Sequence, residues 1–353
     1  MLSFTEDTFE QAIIELFENM GYTHIYAPDM NRTDYSRPLL DDVLRDCLVR
    51  LNRSLPAVAI DEAILKLNDF DAGSLLRKNI IFMDYLQNGI TVKYAVKGEE
   101  RSSVVKLIDY ADADKNDFYV VNQYAFVENG NNRRPDIILF VNGLPLVLME
   151  LKSPSKDEVG AENAYNQIRN YMKDIPSMFY YNAICVISDL STNKAGTITS
   201  GLDRFMEWKT KDGDYENTAY AQFDTFYEGM FQKERLLDIL KNFILFSGDG
   251  QKPIKILAGY HQYFAVRKAI EKAKIATKTD GKGGVFWHTQ GSGKSLSMVF
   301  YIDIYDMTQA VEDGATRPVY YESRVIKLHL DQNTLALIDA TYDALEQQSD
   351  AAT

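Results

Sequence analysis

Two apolar runs joined by a short polar turn form the most strongly patterned stretch of this chain, residues 134–152. Asp136 precedes the first run, an Asn-Gly dipeptide at 142–143 separates the runs, and the second run ends with Glu150 and Lys152. Asn-Gly between apolar segments is a strong hairpin signal, because both residues tolerate positive φ. The pattern therefore predicts a buried β-hairpin that carries three charged residues.

The register of this hairpin decides which charged side chains meet. A two-residue turn at 142–143 would place Asp136 and Glu150 on opposite faces, since a shift of one residue reverses every side chain. A three-residue loop over 142–144 would pair Asp136 with Glu150. It would also leave Pro145 at the first position of its strand, where a missing N–H is tolerated. We predict the three-residue loop.

Charged side chains inside a buried hairpin need compensation, because isolated buried charges are costly. Glu150 and Lys152 lie two residues apart and share a face of the strand. With Asp136 they form two facing carboxylates beside an ammonium, which suits Mg²⁺ and a water that attacks phosphorus. Lys152 would orient that water or neutralise charge on the phosphate. A buried salt bridge between Lys152 and one acid is the alternative.

The rest of the pattern predicts helices around a sheet. Amphipathic periodicity predicts helices over 5–20, 39–51, 56–68, 73–88, 158–174 and 233–246. Runs of β-branched and aromatic residues predict strands over 90–96, 104–110, 118–126 and 183–188, with 194–198 able to pair with the last of them. We expect the first three strands to be sheet neighbours of the hairpin, and the helices within 38–88 to be an insertion that covers the sheet.

Composition and charge narrow the possible functions. The 353 residues suffice for two or three domains, and a hydrophobic content of 46% supplies their cores. A net charge of −13 argues against a general nucleic-acid coat but permits a local basic groove at Arg133, Arg134 and Arg169, or delivery to DNA by a partner. Two cysteines predict no disulfide framework and no zinc site. No apolar run has the length of a membrane span, and we expect a cytoplasmic protein.

The charged hairpin and the helix after it share a family pattern. Pro-Asp at 135–136, Glu-x-Lys at 150–152 and Gln-x-x-x-Tyr at 167–171 together resemble the PD-(D/E)xK nucleases, in their exonuclease-like branch. In that family an early helix often lends an acid to the metal site. The resemblance therefore makes Glu10 a candidate third ligand, with an ordinary charge at a helix N-terminus as the alternative.

The resemblance implies a role for each motif residue. Asp136 and Glu150 would hold Mg²⁺, and Lys152 would be catalytic. Gln167 and Tyr171, four apart on one helix face, would position DNA or the active-site lysine. For these last two residues, an ordinary half-exposed helix face is the alternative.

A second motif occupies 283–295, where a short predicted strand runs into a glycine-rich turn and then a helix. That context predicts a phosphate-binding loop, although His288 stands where the general pattern has glycine. Backbone N–H groups would cradle the β-phosphate of ATP, with Lys294 on the β- and γ-phosphates and Ser295 on Mg²⁺. The predicted nucleotide-binding residues of the loop are Gly291, Ser292, Gly293, Lys294 and Ser295.

The relaxed first position of this loop resembles the superfamily 2 helicases and translocases. In those proteins a glutamine upstream of the phosphate loop reads the adenine base. The segment 260–267 resembles that region and assigns the role to Gln262. An exposed glutamine on an amphipathic helix is the alternative.

The order of the two motif regions, with HTQGSGKSLSMVF at 288–300 and VYYESR at 319–324, resembles the restriction (R) subunit of type I restriction–modification enzymes. The resemblance implies ATP-driven DNA translocation, Mg²⁺-dependent double-strand cleavage, and methyltransferase and specificity subunits as partners. It implies an α/β fold class with two parts. A PD-(D/E)xK nuclease core with its helical insertion would occupy 1–250, and the start of a RecA-like P-loop motor 251–353.

The motor expected from this resemblance is incomplete. Only 58 residues follow Ser295, and no Asp-Glu box lies on a later strand. The segment from Ile302 onward resembles a family segment that lies well beyond the phosphate loop, so we expect a missing piece near 298–302. The chain should retain a nuclease site without hydrolysis-driven movement. Two alternatives are a nuclease–helicase of another DNA-processing or defence system and a non-catalytic assembly module.

Overall fold

A computed structural model describes residues 5–70, 73–152, 159–189, 191–214, 223–248, 252–279, 281–287, 290–305 and 313. Its helices are α1 Glu6–Asn19, α2 Asp41–Leu51, α3 Ala57–Asn68, α4 Leu75–Asn88, α5 Val159–Asp174, α6 Phe223–Phe231, α7 Lys233–Asn242, α8 Tyr260–Ala276 and α9 Lys294–Ile304. Its strands are β1 Thr23–Tyr26, β2 Ile90–Val96, β3 Glu99–Val105, β4 Phe118–Asn122, β5 Phe126–Glu128, β6 Asn131–Arg133, β7 Ile137–Val141, β8 Leu144–Leu151, β9 Ile184–Ser188, β10 Asn193–Gly196, β11 Ile244–Ser247 and β12 Ile254–Leu257. None of these helices is long and apolar enough to cross a membrane.

A mixed six-stranded sheet of order β1-β4-β7-β8-β9-β10 forms the centre of the α/β fold. The pairs β1-β4 and β8-β9 are parallel, and the remaining neighbours are antiparallel. Every residue of β7 and β8 is buried, as their continuous apolar runs predict. One face of the sheet packs against α1 and the helices of 38–88, and the other face packs against α5.

The β7–β8 hairpin reaches the predicted pairing by a different route. Its turn has two residues, not three: Asn142 and Gly143 both have positive φ, and Val141 pairs directly with Leu144. A β-bulge then changes the register between Phe140↔Pro145 and Leu139↔Val147. The predicted three-residue loop is therefore wrong, but the bulge restores the alignment that it was meant to supply.

The extra residue of the bulge is Leu146, whose carbonyl oxygen accepts the Ala183 N–H at 2.7 Å. That hydrogen bond lies at the start of the parallel β9, so the bulge lies where β8 begins to pair with β9 in addition to β7. Pro145 lies next to the bulge. Because proline has no N–H, the disrupted hydrogen-bond ladder leaves no backbone donor unpaired at this position. Leu146 and Val147, although adjacent, both enter the same core cluster.

The helices predicted within 38–88 are present as α2, α3 and α4, and the segment before α2 contacts the hairpin turn. Leu40 donates its N–H to the Gly143 carbonyl at 3.0 Å, immediately before α2. A Cβ on Gly143 would lie 2.7 Å from the Leu40 carbonyl oxygen and 2.8 Å from the Leu44 nitrogen. Glycine is required there both for its φ of +82° and for this close approach.

Several predicted strand neighbours are wrong. Within the part of the chain that the structure describes, strands β2 and β3 pair only with each other, in a separate two-stranded sheet, and β3 ends at Val105 instead of reaching Tyr110. The run 118–126 divides into β4, which does join β7, and β5, which pairs with β6. The alternating exposed residues of β2 explain the difference. A strand with one solvent-exposed face is not expected in the middle of a sheet that is covered on both faces.

The later elements depart from prediction near 247. The predicted helix 233–246 ends at Asn242, and β11 follows it and pairs with β12 across the expected domain boundary at 247–252. The described residues all lie within one compact unit, Met1–Ala315. The boundary itself stays a prediction. Of the loop predicted over 209–217, residues 215–217 lie outside the described part.

Candidate active site

Strands β7 and β8 bring Asp136, Glu150 and Lys152 together on the face of the sheet that packs against α5. Asp136 immediately precedes β7, and the register that pairs Ile137 with Met149 places it opposite Glu150. The Leu151 N–H donates to Asp136 Oδ2 at 2.7 Å. The three charged groups therefore lie at the end of the hairpin away from its turn. Asp136 is half-buried there.

Glu150 is the most deeply buried of the three, with an exposed fraction of 3%. Its Oε1 accepts from Lys152 Nζ at 2.6 Å, and the same Nζ donates to the Leu151 carbonyl at 2.7 Å. Glu150 Oε2 has no hydrogen-bond partner among the described residues. A buried carboxylate oxygen without a donor is costly, and it marks a position where a cation or another donor would be favourable.

The electrostatics of the pair favour protonation in the absence of a further cation. Burial, and then the charge of Glu150, raises the pKa of Asp136 to about 8. Burial also raises the pKa of Glu150, although Lys152 and the Tyr171 hydroxyl act in the opposite direction. For Lys152, burial lowers the pKa, but Glu150 and Asp136 outweigh it and the net shift is upward. The single positive charge of Lys152 therefore does not balance two ionised carboxylates, and burial favours protonation of the acids.

Helix α5 supplies Tyr171 to this cluster. Tyr171 is buried, and its hydroxyl donates to the Arg134 carbonyl at 3.5 Å, the limit of a hydrogen bond. Burial, and then the charge of Glu150, raises the pKa of the phenol. Gln167 lies one turn earlier on the same face, is half-buried, and acts on the Tyr171 hydroxyl. The structure thus brings Asp136, Glu150, Lys152, Gln167 and Tyr171 to one place.

Helix α1 brings Glu6, not Glu10, into electrostatic contact with the cluster. Glu6 raises the pKa of Asp136, Glu150 and Lys152. Glu10, four residues later, has both carboxylate oxygens in hydrogen bonds to amides. The spacing of four residues on one helix face was a signal for either acid, and the sequence contained nothing to separate them.

Among the described residues, no group of three or more His, Cys, Asp or Glu side chains is arranged to hold a metal ion. The predicted basic groove is only partly available. Arg133 forms an ion pair with Asp174 at 2.7 Å, and Arg169 donates to the Ile198 carbonyl at 3.0 Å. Arg134 is exposed beside Asp136.

The predicted phosphate loop leads into helix α9 as expected. Gly291 and Gly293 have φ values of +82° and +79°, and the helix begins at Lys294. Lys294 and Ser295 are exposed on its first turn. Gln290 to Ser295 are described, whereas His288, Thr289 and the VYYESR segment lie outside the described residues.

The strand predicted before this loop is absent from residues 281–287, which the structure describes. Val285 is 93% exposed and Trp287 77% exposed. Together with α8 and α9 these residues line a groove of about 870 Å³. An apolar strand of this kind needs paired neighbours and a covering layer, and the described residues offer it neither.

Gln262 is buried and holds the phosphate loop. Its Oε1 accepts the Gly259 N–H at 2.9 Å, and its Nε2 donates to the Gly293 carbonyl at 3.2 Å. His261 Nε2 lies 3.2 Å from the Ser292 carbonyl oxygen. The N-terminus of α8 is thereby joined to the loop at two adjacent residues. The sequence-based alternative, an exposed glutamine, is wrong.

Comparisons with known proteins match two families to this chain. Residues 3–204 match the family described as type I restriction enzyme R protein N terminus, HSDR_N. Residues 261–302 and 300–353 match, as two separate stretches, the SWI2/SNF2 ATPase family.

Curated relatives point the same way. The chain is 36% identical over 311 residues to the type I restriction enzyme HindI endonuclease subunit of Haemophilus influenzae, which covers 84% of this chain and 29% of the relative. It is 31% identical over 325 residues to the putative type I restriction enzyme MjaIXP endonuclease subunit of Methanocaldococcus jannaschii, covering 83% and 30%. The chain thus spans less than a third of the length of these relatives. It belongs to the family of type I restriction enzyme R proteins, as its sequence motifs predict.

Proposed function

We propose that this chain is the nuclease and nucleotide-binding part of a type I restriction endonuclease subunit. In this proposal it cleaves double-stranded DNA with Mg²⁺, after translocation that the complete motor drives with ATP. The observation that carries the proposal is the meeting of Asp136, Glu150 and Lys152 at one end of a buried hairpin. Similarity to relatives named as endonuclease subunits supports it.

The chemistry of the acid pair fits a divalent cation. The pKa of both Asp136 and Glu150 is raised, mainly by burial. Glu150 Oε2 lacks a donor among the described residues. A hard cation held by these two carboxylates would replace the protons that burial otherwise favours. When bound, Mg²⁺ supplies Lewis acidity toward the phosphate and a lower pKa for a coordinated water.

The side chains around the proposed cation have separate roles. Asp136 and Glu150 hold the cation, and the Leu151 N–H fixes the orientation of the Asp136 carboxylate. Lys152 remains protonated and places a positive charge where the phosphate gains negative charge. Tyr171 and Gln167, from α5, line the same cluster and position the DNA or the lysine.

The nucleotide part of the proposal rests on the phosphate loop. Gly291 and Gly293 adopt left-handed φ values, and Lys294 begins a helix there, the arrangement in which backbone N–H groups of a phosphate loop bind anions. We assign ATP to Gly291, Ser292, Gly293, Lys294 and Ser295. The two-part SWI2/SNF2 match, which breaks at 300–302, supports a missing motor segment near 298–302.

Gln262 supports this assignment through its hydrogen bond to the Gly293 carbonyl. We assign it to the adenine-reading position, where it would contact both the base and the phosphate loop. DNA and the methyltransferase and specificity subunits are the partners that the proposal requires, in the cytoplasm. We assign the nuclease to residues 1–250 and the partial motor to 251–353.

Mg²⁺ binding by calorimetry tests the nuclease site. The wild-type chain should bind Mg²⁺, and Asp136→Ala should abolish that binding, because one of two carboxylate ligands is lost. Asp46→Ala, which removes an exposed acid of α2, is the matched control and should bind like the wild type. DNA cleavage by the complete complex, with and without Asp136→Ala, is the next measurement.

A structural role for the hairpin charges is the second candidate. The 2.6 Å contact between Lys152 and Glu150 favours it, because that ion pair by itself compensates part of the cost of the buried carboxylate. Equal Mg²⁺ binding in the wild type and Asp136→Ala, or none in either, would support this assembly-module function and remove the nuclease proposal.

A further inference from the structure

We propose that Glu10 and Gln123 form a clamp that positions Asp136. Glu10 lies on α1 and Gln123 directly follows β4, so the clamp joins elements far apart in sequence. The inference rests on the proposed metal-binding role of Asp136. It gives Glu10 a function other than the ligand role that the sequence suggests.

Glu10 uses both carboxylate oxygens to hold the end of β4. Oε1 accepts from Asn122 Nδ2 at 2.7 Å, and Oε2 accepts from Gln123 Nε2 at 2.8 Å. Both are short hydrogen bonds to a charged acceptor, which are stronger than neutral ones. Both oxygens of the Glu10 carboxylate therefore hold the end of β4 in place.

A third side chain fixes the orientation of the Asn122 amide. His24 Nε2 lies 3.0 Å from Asn122 Oδ1. Because Asn122 Nδ2 donates to Glu10, its Oδ1 is the acceptor and His24 Nε2 is the donor. Asn122 is 6% exposed, so its amide cannot exchange these partners for water without leaving its place.

Gln123 has a φ of +57°, in the left-handed region that non-glycine residues seldom adopt. In this conformation its N–H donates to the Asp136 carbonyl at 3.0 Å, and its side chain reaches Glu10. The hydrogen bond that the Gln123 side chain donates to Glu10 therefore offsets the strain of the left-handed backbone.

The clamp matters because it fixes the backbone of Asp136 while the side chain is fixed elsewhere. The Asp136 carbonyl accepts from the Gln123 N–H, and Asp136 Oδ2 accepts from the Leu151 N–H at 2.7 Å. If Gln123 leaves the left-handed region, the first of these bonds breaks and the carboxylate loses its fixed position beside Glu150. Glu10 is thus a positioning residue that acts through Gln123.

Amide hydrogen exchange of the full chain, read by NMR at Gln123 and Leu151, tests the clamp without metal. Three variants are compared: Glu10→Ala, Gln123→Ala and Gln123→Gly. The two Gln123 variants both lose the bond to Glu10 and differ only in a Cβ, which disfavours the left-handed region in alanine alone. Glu15→Ala, an exposed acid on the same helix, is the control.

Glu10→Ala and Gln123→Ala should each lower protection of the Leu151 amide by about tenfold or more. Both variants lose the charge-assisted hydrogen bond between Gln123 and Glu10, so the left-handed backbone that holds Asp136 is no longer stabilised. Gln123→Gly should keep that protection within about threefold of the wild type, because glycine adopts the required φ unaided. Equal protection in Gln123→Ala and Gln123→Gly would overturn the proposal, as would a Glu10→Ala profile that matches Glu15→Ala. If Glu10→Ala does not fold, the Gln123 pair still decides.

Mg²⁺ calorimetry on the same variants separates this inference from the proposed function. With the clamp and the metal site both correct, affinity should follow the order wild type, Gln123→Gly, Gln123→Ala. If the wild type binds no Mg²⁺, the metal site is wrong, whereas the exchange data still accept or reject the clamp. If Mg²⁺ binds equally to all variants while exchange changes, Glu10 holds the fold but does not position Asp136, and the proposal fails.

Discussion

At Asp136 the fold holds a carboxyl group away from its ordinary ionisation. Burial, and then the neighbouring Glu150, raises its pKa from 3.8 to about 8. Between those two pH values the native state binds more protons than the unfolded chain. Stability is therefore lost as pH rises from about 4 to about 8 in the absence of a divalent cation.

Asp136→Asn tests this pH dependence. Asparagine does not ionise but keeps an acceptor for the Leu151 N–H, so the variant should be more stable than the wild type at pH 8, by about 1–3 kcal/mol. The difference should vanish near pH 4. Urea unfolding in chelator at several pH values measures it, with the exposed Asp46→Asn as control. Parallel stability curves for wild type and Asp136→Asn would contradict the shift.

Residue by residue, the sequence identified side chains that belong to a linear motif and missed those defined by the fold. Asp136, Glu150 and Lys152 were predicted because period-2 alternation and a known pattern place them together. Glu6 and the left-handed Gln123 were not, since the acids near Glu6 and the Glu10 partner of the Gln123 side chain lie more than 100 positions away. Lys255 carried a usable signal, a lone lysine in the apolar strand β12.

At the scale of elements, the hairpin shows what pattern alone leaves open. The two strands and the facing of Asp136 and Glu150 were predictable, because hydrophobicity and buried charge each constrain them. The route was not, since a two-residue turn with a bulge at Leu146 and a three-residue loop give the same alignment at the far end. The bond from Ala183 to Leu146, made by another strand, selects the bulge.

Asn142 is the residue of this hairpin on which the turn most depends. Its Nδ2 donates to the Leu107 carbonyl and to Asn116 Oδ1, each at 2.9 Å, and its Oδ1 accepts the Asp117 N–H at 2.8 Å. Its side chain is fully buried. The amide therefore ties the turn to the segments before β4 on both of its polar atoms.

Asn142→Asp should destabilise the chain by about 2–4 kcal/mol, because it removes two buried donors and places a carboxyl oxygen against two acceptors. Aspartate tolerates the positive φ, so backbone strain does not contribute. Asn129→Asp is the matched control: it also lies in an Asn-Gly turn with a φ of +50°, but it is exposed. Equal losses of stability at 129 and 142 in urea unfolding would refute the role of the buried amide.

At the scale of the whole molecule, Lys255 connects β12 by hydrogen bonds to α4 and to the segment before β9. It is 2% exposed, and its Nζ donates to Asn79 Oδ1 at 3.0 Å and to the Asn182 carbonyl at 2.7 Å. Burial lowers its pKa from 10.5 to about 7. Between these values the unfolded chain binds more protons than the native state, so this group makes stability rise with pH from about 7 to about 10.5.

Lys255→Met should remove that dependence. The difference in unfolding free energy between wild type and variant should change by about 2–4 kcal/mol across this pH range, in favour of the wild type at high pH. Taking the difference cancels other groups that titrate there. Lys252→Met, at an exposed position three residues earlier, should show no such change. A constant difference for Lys255→Met would mean that the amine stays charged in the fold.

The segment around the glycine-rich loop shows how far local sequence signals reach. The glycine turn and helix α9 follow from local signals, and both formed. The strand 283–287 did not, because an apolar strand is stable only beside neighbours, and the described residues provide none for it. Val285 and Trp287 are consequently exposed beside the groove along α8 and α9.

Trp287 tests whether the rest of the proposed motor covers this surface. Trp208→Phe leaves Trp287 as the single tryptophan of the two in the chain. Because Trp287 is 77% exposed, its fluorescence should be quenched efficiently by iodide in this chain. In a longer protein that carries the rest of the motor, quenching should fall severalfold and emission should shift to shorter wavelength, as the strand becomes buried. Trp287→Phe retains only Trp208, which is 3% exposed and should give the same spectrum in both proteins. Equal quenching of Trp287 in the short and long proteins would mean that the phosphate loop is not preceded by a motor strand.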